Sequence, residues 1–130
     1  AFDESKTLKS IIIPNSVTKI GVSAFATCTS LTDVVMSNSI ASIGGNAFGT
    51  CNSLVSIVIP ENVSSIGDGA FNWCRSLNMV YCMPNNPPVL GDDAFDNTPA
   101  SLKIFVPKES YDKYVMADGW KDYADQIERI

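Results

Sequence analysis

The stretch from Leu54 to Ser76 reads LVSIVIPENVSSIGDGAFNWCRS, and the residues on both sides of it repeat the same pattern. Leucine stands at positions 8, 31, 54 and 77, and the Ile-Gly pair at 20–21, 43–44 and 66–67. The Ala-Phe pair recurs at 24–25, 47–48 and 70–71, followed by cysteine at 28, 51 and 74. All of these positions recur every 23 residues. So many positions with one common interval predict a repeat architecture.

Each part of the unit predicts a local structure. The segment Leu54–Pro60 is rich in β-branched residues and ends at proline, which is typical of a short strand. Residues 63–67 predict a second short strand, which ends at a glycine corner. The Ala-Phe pair is predicted to begin a short helix or 3-10 turn, because a residue type favoured at helix N-caps precedes it in every unit. These predicted N-cap residues are Ser23, Asn46, Gly69 and Asp93.

One unit therefore returns the chain to its start, displaced by one strand spacing of about 4.8 Å. A single coil cannot bury its apolar face, but stacked coils can. The predicted fold is an α/β repeat solenoid with a short parallel sheet on one face and short helices or 3-10 turns and second short strands elsewhere. Its predicted repeats are residues 8–30, 31–53, 54–76 and 77–101, the last with two extra residues in the Pro-rich loop 85–88.

The units closely resemble the BspA-like leucine-rich repeat, the Treponema-type class, whose unit has the same length. The segment LKIFVPKESYDKYVMADGWKDY, residues 102–123, is similar to the closing segment of such arrays in Bacteroidetes-like surface proteins. The resemblance covers essentially the whole chain and implies a right-handed coil. The sequence departs from the repeat at Ser37, where other units have proline, and at Thr98, where they have cysteine.

The two ends of the predicted solenoid differ. Ala1-Phe2 precedes Leu8 by the spacing at which Ala24-Phe25 precedes Leu31, so residues 1–7 are predicted to be the remnant of a preceding repeat in a longer array. The strand edge would then be open and prone to edge-to-edge self-association. The alternative is that residues 1–7 fold over this end and cap it.

Residues 102–130 are predicted to form a final strand and a C-terminal helical cap. Tyr111, Tyr114 and Val115 have helical spacing, and Trp120, Tyr123 and Ile127 follow as apolar anchors. The alternative is that these aromatic residues form a binding surface. We favour the cap, since a terminal repeat otherwise exposes its core.

Composition excludes several classes of function. The chain carries a net charge of −5, which disfavours nucleic-acid binding. No apolar run approaches the roughly 18 residues that cross a bilayer. The chain contains no histidine, so Ser-His and Cys-His catalytic arrangements are impossible. We therefore predict one domain that is not an enzyme and uses no cofactor.

Two groups of residues leave alternatives open. Cys28, Cys51, Cys74 and Cys82 are predicted to be core thiols, with a disulfide or a metal site as alternatives. Residues 92–96 include three aspartates, which calcium could use. We favour a helix-capping role for Asp93 and solvent exposure for the other two.

The candidate binding residues lie on the outward face of the predicted strands. One predicted column is an apolar stripe of about 19 Å, because stacked strands lie about 4.8 Å apart; its residues are Ile12, Val35, Val58, Tyr81 and Phe105. The column beside it consists of Ser10, Asp33, Ser56 and Met79. Exposed apolar surface often marks an interaction site, although outward strand positions also favour such residues. Trp73 is either an exposed anchor or a packing residue.

The resemblance implies a function in adhesion. We expect a non-catalytic interaction module of a bacterial cell-surface or secreted protein, located outside the cell. Its expected partner is an unspecified host or bacterial surface protein or matrix component, without nucleic-acid binding or membrane insertion by this segment. The alternative is a spacer or accessory region of a larger surface enzyme or glycan-handling protein.

Overall fold

The computed structural model describes residues 2–130. Ala1, which belongs to the predicted remnant of a preceding repeat, lies outside these residues. The ten strands are β1 (Ser10–Ile13), β2 (Lys19–Ile20), β3 (Asp33–Met36), β4 (Ser42–Ile43), β5 (Ser56–Ile59), β6 (Ser65–Ile66), β7 (Met79–Cys82), β8 (Val89–Leu90), β9 (Lys103–Val106) and β10 (Ile127–Arg129).

The strands form two walls of the solenoid, and the strands within each wall run parallel. The odd-numbered strands and β10 form the first wall, in the orders β1-β3 and β5-β7-β9-β10. The second wall has the order β2-β4-β6-β8. Ser10 pairs with Asp33 and Ser42 with Ser65, in each case the equivalent position of the next unit, so the predicted repeat solenoid is confirmed.

The register corrects one detail of the fourth unit. Ser65 pairs with Val89, where strict repetition would give Pro88, so one extra residue lies before β8. The prediction of two extra residues in this Pro-rich loop is therefore wrong. The strands β7 and β9 have the same shift, with Met79 opposite Lys103. The second apparent insertion arises because Leu102 directly precedes β9, whereas Leu77 lies two positions before β7.

The third wall, here called the turn wall, consists of the tight turns around the Ala-Phe positions. The predicted N-cap residues do not have the backbone of an N-cap, so that prediction is wrong. Ser23, Asn46, Gly69 and Asp93 have φ between 55° and 62°, which is the left-handed region and not the extended conformation of an N-cap. Their amides donate to the next coil where one follows: Ser23 N donates to Gly45 O at 2.9 Å. The next amide along the chain turns inward, since Ala24 N donates to Gly21 O. This alternation satisfies the backbone without a helix.

A column of stacked aromatic rings runs through the core. Phe2, Phe25, Phe48, Phe71 and Phe95 have successive ring centroids 5.7, 5.3, 5.4 and 5.4 Å apart, with interplanar angles of 3–8°. All of these rings except that of Phe2 are buried. The Ala-Phe position recurs once per coil, so the column of rings is a direct consequence of the sequence repeat.

The C-terminal cap covers the last coil. The helix α1 (Tyr111–Met116) follows a 3-10 turn at Lys108–Ser110, and a second 3-10 segment spans Trp120–Gln126. Tyr114 Oη donates to Pro84 O at 2.6 Å, and Trp120 Nε1 donates to Pro88 O at 2.7 Å. Both side chains are fully buried, which favours the cap over an aromatic binding surface.

The cap also replaces the contacts that a further coil would make. Phe71 N donates to Ala94 O of the next coil, and Phe95 N donates instead to Tyr123 Oη at 3.3 Å. The ring of Tyr123 meets that of Phe95 edge-on, with centroids 5.5 Å apart. The cap therefore ends the ring column and its hydrogen bonds together.

Candidate binding face

The predicted stripe lies on the outward face of the first wall. Ile12 is 77% exposed, Val35 57% and Val58 50%, while Tyr81 and Phe105 are half-buried. Within each ladder the stripe residues are direct partners: Ile12 pairs with Val35, and Tyr81 with both Val58 and Phe105. The rings of Tyr81 and Phe105 stack at 5.1 Å, so they cover each other's faces and present their edges to solvent.

The neighbouring column changes character along the wall. Ser10 and Asp33 are exposed and polar, Ser56 is half-buried, and Met79 is exposed and apolar. Lys103 ends the column, and its Nζ lies 3.3 Å from Glu128 Oε2 on β10. The apolar surface is therefore broadest over the later coils, where Met79 adds to the stripe.

Val55 is a further exposed apolar residue next to the first wall, outside the predicted stripe. It is exposed and directly precedes β5. The equivalent positions in other coils hold Lys9, Thr32 and Asn78. The position is polar in those units, so the repeat alone gave no signal for an apolar residue here.

Trp73 lies on the turn wall and is 42% exposed, so it does not pack in the core. The Arg75 guanidinium carbon lies 5.0 Å from the centre of its ring. Its φ of 60° is shared with Thr27, Thr50 and Asn97 at the same place in other coils. Trp73 is thus an exposed aromatic residue outside the stripe.

The cysteine column has a structural role. Cys51 Sγ donates to Phe25 O at 3.2 Å and Cys74 Sγ to Phe48 O at 3.1 Å, so each thiol bonds to the coil before it. Cys28 does the same toward Phe2 O at 3.0 Å. All four cysteines are free and buried. The structure therefore favours core thiols over disulfides.

The buried thiols predict a loss of stability at alkaline pH. Burial raises the pKa of Cys51, Cys74 and Cys82 from 9.0 to about 12, so these thiols stay protonated in the fold while the unfolded chain ionises. The contribution of these protonated thiols to the free energy of unfolding is complete below pH 9. It declines as the pH rises toward 12, by roughly 1 kcal/mol per pH unit for each thiol.

Urea unfolding under reducing conditions at several pH values between 8 and 11 measures this decline. The double variant Cys51→Ala/Cys74→Ala is expected to show a shallower decline than the natural chain, although it is less stable at pH 7 because its core is less filled. If the free energy of unfolding declined equally steeply with pH in both proteins, the raised pKa values of the buried thiols would be contradicted.

The acidic residues of the fourth coil do not form a cap. Asp93 has a left-handed backbone and precedes no helix. A hydrogen bond with Asp96 raises the pKa of Asp93, and repulsion from Asp96, Asp92 and Asp68 acts in the same direction. Across residues 2–130, no three His, Cys, Asp or Glu side chains form a group that could hold a metal ion.

A second apolar surface lies at the N-terminal end of the solenoid. A cavity of about 260 Å³ opens there under β1, with Ile11, Ile13 and Val17 in its lining. Phe2 forms part of it and is 49% exposed. Phe2 N donates to Ala24 O at 2.7 Å, so Phe2 stacks on the first coil without closing its end. Self-association through this end stays a prediction.

No described helix combines the length and the apolar character needed to cross a membrane. The family model described as "BspA type Leucine rich repeat region" matches residues 1–115 with six copies. A comparison with curated proteins finds no significant match.

Two solved bacterial structures are similar to this chain in fold. A leucine-rich repeat protein from Bacteroides ovatus is 29% identical, with a TM-score of 0.70 over 96% of this chain and 31% of that one. The pneumococcal vaccine antigen PcpA is 20% identical, with a TM-score of 0.69 over 98% of this chain and 36% of that one, and this likeness concerns the fold alone. The chain spans about a third of the length of either protein.

Proposed function

Because the chain belongs to the BspA-type leucine-rich repeat family, we propose that it is a non-catalytic interaction module of a bacterial cell-surface or secreted protein. It binds a macromolecular partner along the exposed face of the first wall. The partner is a surface protein or matrix component of a host or of another bacterium, and the site of action is outside the cell.

The exposed stripe is the observation that carries this proposal. Ile12, Val35 and Val58 are each at least half exposed, and Tyr81 and Phe105 extend the same column. An apolar surface of this kind is unfavourable in water unless a partner covers it. Aromatic residues and methionine, both present over the later coils, are enriched in the buried centres of interfaces.

The introduction of charge into the stripe tests the proposal. The variant Ile12→Lys/Val58→Lys is expected to lose at least tenfold of its binding to epithelial-cell monolayers or to immobilised basement-membrane extract, because two lysines would have to be desolvated in the interface. Binding is measured with fluorescently labelled protein at physiological salt.

The matched control is Val22→Lys/Val89→Lys, which adds the same charge at two exposed valines outside the stripe. It should bind like the natural chain, and circular dichroism should show that both variants are folded. Equal binding by the stripe variant and the control would exclude the stripe as the contact surface.

The second candidate function is a spacer or accessory region of a larger surface enzyme or glycan-handling protein. The observation that favours it is that the chain spans only about a third of its solved structural relatives. This function requires no partner on the stripe, so the same pair of variants separates it from adhesion.

A further inference from the structure

The first wall is interrupted between β3 and β5. Across the described chain, β1 pairs with β3 over four residues and β5 with β7 over four, but no ladder joins β3 to β5. Lys9 O and Val55 O each accept two amide bonds from the next coil, but Thr32 O, which the structure also describes, accepts none from Val55 or Ser56. The two strands are neighbours along the solenoid without being paired.

The unpaired groups can be assigned from the next coil. Met79 N donates to Val55 O at 3.2 Å, so the backbone amides of Met79 and Tyr81 in β7 point toward β5. The residues one repeat earlier are Ser56 and Val58, and their amides therefore face β3. Because no ladder joins β3 to β5, we expect these amides to depend on solvent, which costs little only where water can reach them.

Burial shows the same interruption. The inward residues of β3, Val34 and Met36, are only half-buried. Their equivalents on β5, Ile57 and Ile59, are 2% and 0% exposed. The inward side of the first wall is therefore partly exposed at β3, as it is at Ile11 on β1, and it is buried from β5 onward.

The turn after β3 is attached to the preceding coil. Ser37 takes the place of the proline found at Pro14 and Pro60. Its hydroxyl oxygen lies 3.4 Å from Pro14 O, to which it donates, and it accepts a bond from Ser39 N at 3.3 Å. The bond that crosses to the next coil at this turn comes from Asn62, whose Nδ2 donates to Asn38 O at 2.8 Å.

The other two walls continue through the same junction. In the second wall Ser42 pairs with Ser65. In the turn wall Phe48 N donates to Ala70 O at 2.8 Å, and the ring of Phe48 stacks on Phe71 at 5.4 Å. The junction is therefore closed on two sides and open on the side that carries the stripe.

We propose that the junction between β3 and β5 is a hinge, about which residues 2–53 move relative to residues 54–130. Opening or closing of the hinge changes the distance between Val35 and Val58 and hence the curvature of the stripe. The hinge is a property of the free chain and does not depend on the proposed function. It would allow one array to fit partner surfaces of different curvature.

Amide hydrogen exchange, followed by NMR on the full chain, tests the missing ladder. Ser56 and Val58 amides are expected to exchange at least tenfold faster than Met79 and Tyr81 amides, which occupy the same positions one coil later and have strand partners. Protection factors within threefold of each other would overturn the proposal.

Distances between spin labels distinguish a hinge from a fixed gap. Labels at Val35→Cys/Val58→Cys span the junction, and labels at Ile12→Cys/Val35→Cys span a paired junction of similar exposure. The native thiols are buried and protonated, so they should resist labelling. The pair across the hinge should give a distance distribution at least twice as broad as the control pair, and equal widths would overturn the hinge.

Discussion

Replacing Phe48 with alanine is expected to lower the free energy of unfolding by about 3–5 kcal/mol, the range for truncating a buried aromatic residue. Phe48 is fully buried, and its ring stacks between those of Phe25 and Phe71. The variant leaves a cavity in the middle of the ring column. The neighbouring rings cannot shift into this cavity without breaking the hydrogen bonds between coils. Urea unfolding followed by circular dichroism measures the change.

The control for this prediction is Phe2→Ala, at the end of the same column. Phe2 is 49% exposed and stacks on Phe25 alone, so its loss should cost about 1–2 kcal/mol from the buried area that is removed. A repeat array whose coils stabilise their neighbours predicts this difference between middle and end. Equal losses for the two variants would contradict a shared core.

The second large effect is expected at the cap. Trp120→Ala should cost about 3–5 kcal/mol, because Trp120 is fully buried and packs edge-on against Tyr114 at 5.1 Å. The variant also leaves Pro88 O without the bond from Trp120 Nε1. Thermal and urea unfolding should both show the loss, since the cap closes the core of the last coil.

Trp73→Ala is the matched control for the cap variant. This tryptophan is exposed and meets only the Arg75 guanidinium among the ring contacts of the described residues, so the change should cost about 1 kcal/mol or less. If Trp120→Ala were as mild as Trp73→Ala, the segment from α1 to β10 would not be the structural cap described here.

The sequence predicted those features that the repeat imposes on every coil. The constant repeat length places Leu54, Ile57 and Phe71 beside their equivalents in the next coil, so strands, core and ring column follow from one register. The resemblance to the BspA-like repeat is confirmed by the match over residues 1–115. The helical cap was also predicted, because apolar residues at helical spacing end the array.

The backbone of the turn wall was predicted incorrectly for a physical reason. Serine, asparagine, glycine and aspartate are favoured at helix N-caps, and glycine, asparagine and aspartate also tolerate the left-handed region. The column Ser23, Asn46, Gly69 and Asp93 is therefore compatible with both structures. Hydrogen bonding to the next coil decides between them, and a single unit cannot show it.

Two other features depend on a single position in the chain. β10 has one buried residue, Ile127, and its strand is too short for a recognisable alternation. The interrupted ladder at β3 coincides with one unusual residue, Ser37, whose effect on pairing is not evident from its type. The outward stripe follows from strand alternation, but the exposure of Val55 and Trp73 required the packed coils.

The central claim is that successive coils stack in register around one core. Nuclear Overhauser spectra of a deuterated sample with protonated phenylalanine rings test it most directly. Stacking in register predicts cross-peaks between Phe25 and Phe48, Phe48 and Phe71, and Phe71 and Phe95, whose centroids lie 5.3–5.4 Å apart. It predicts none between Phe25 and Phe71, about twice as far apart. Missing sequential peaks, or peaks from these rings to Phe105, would contradict the stacked solenoid.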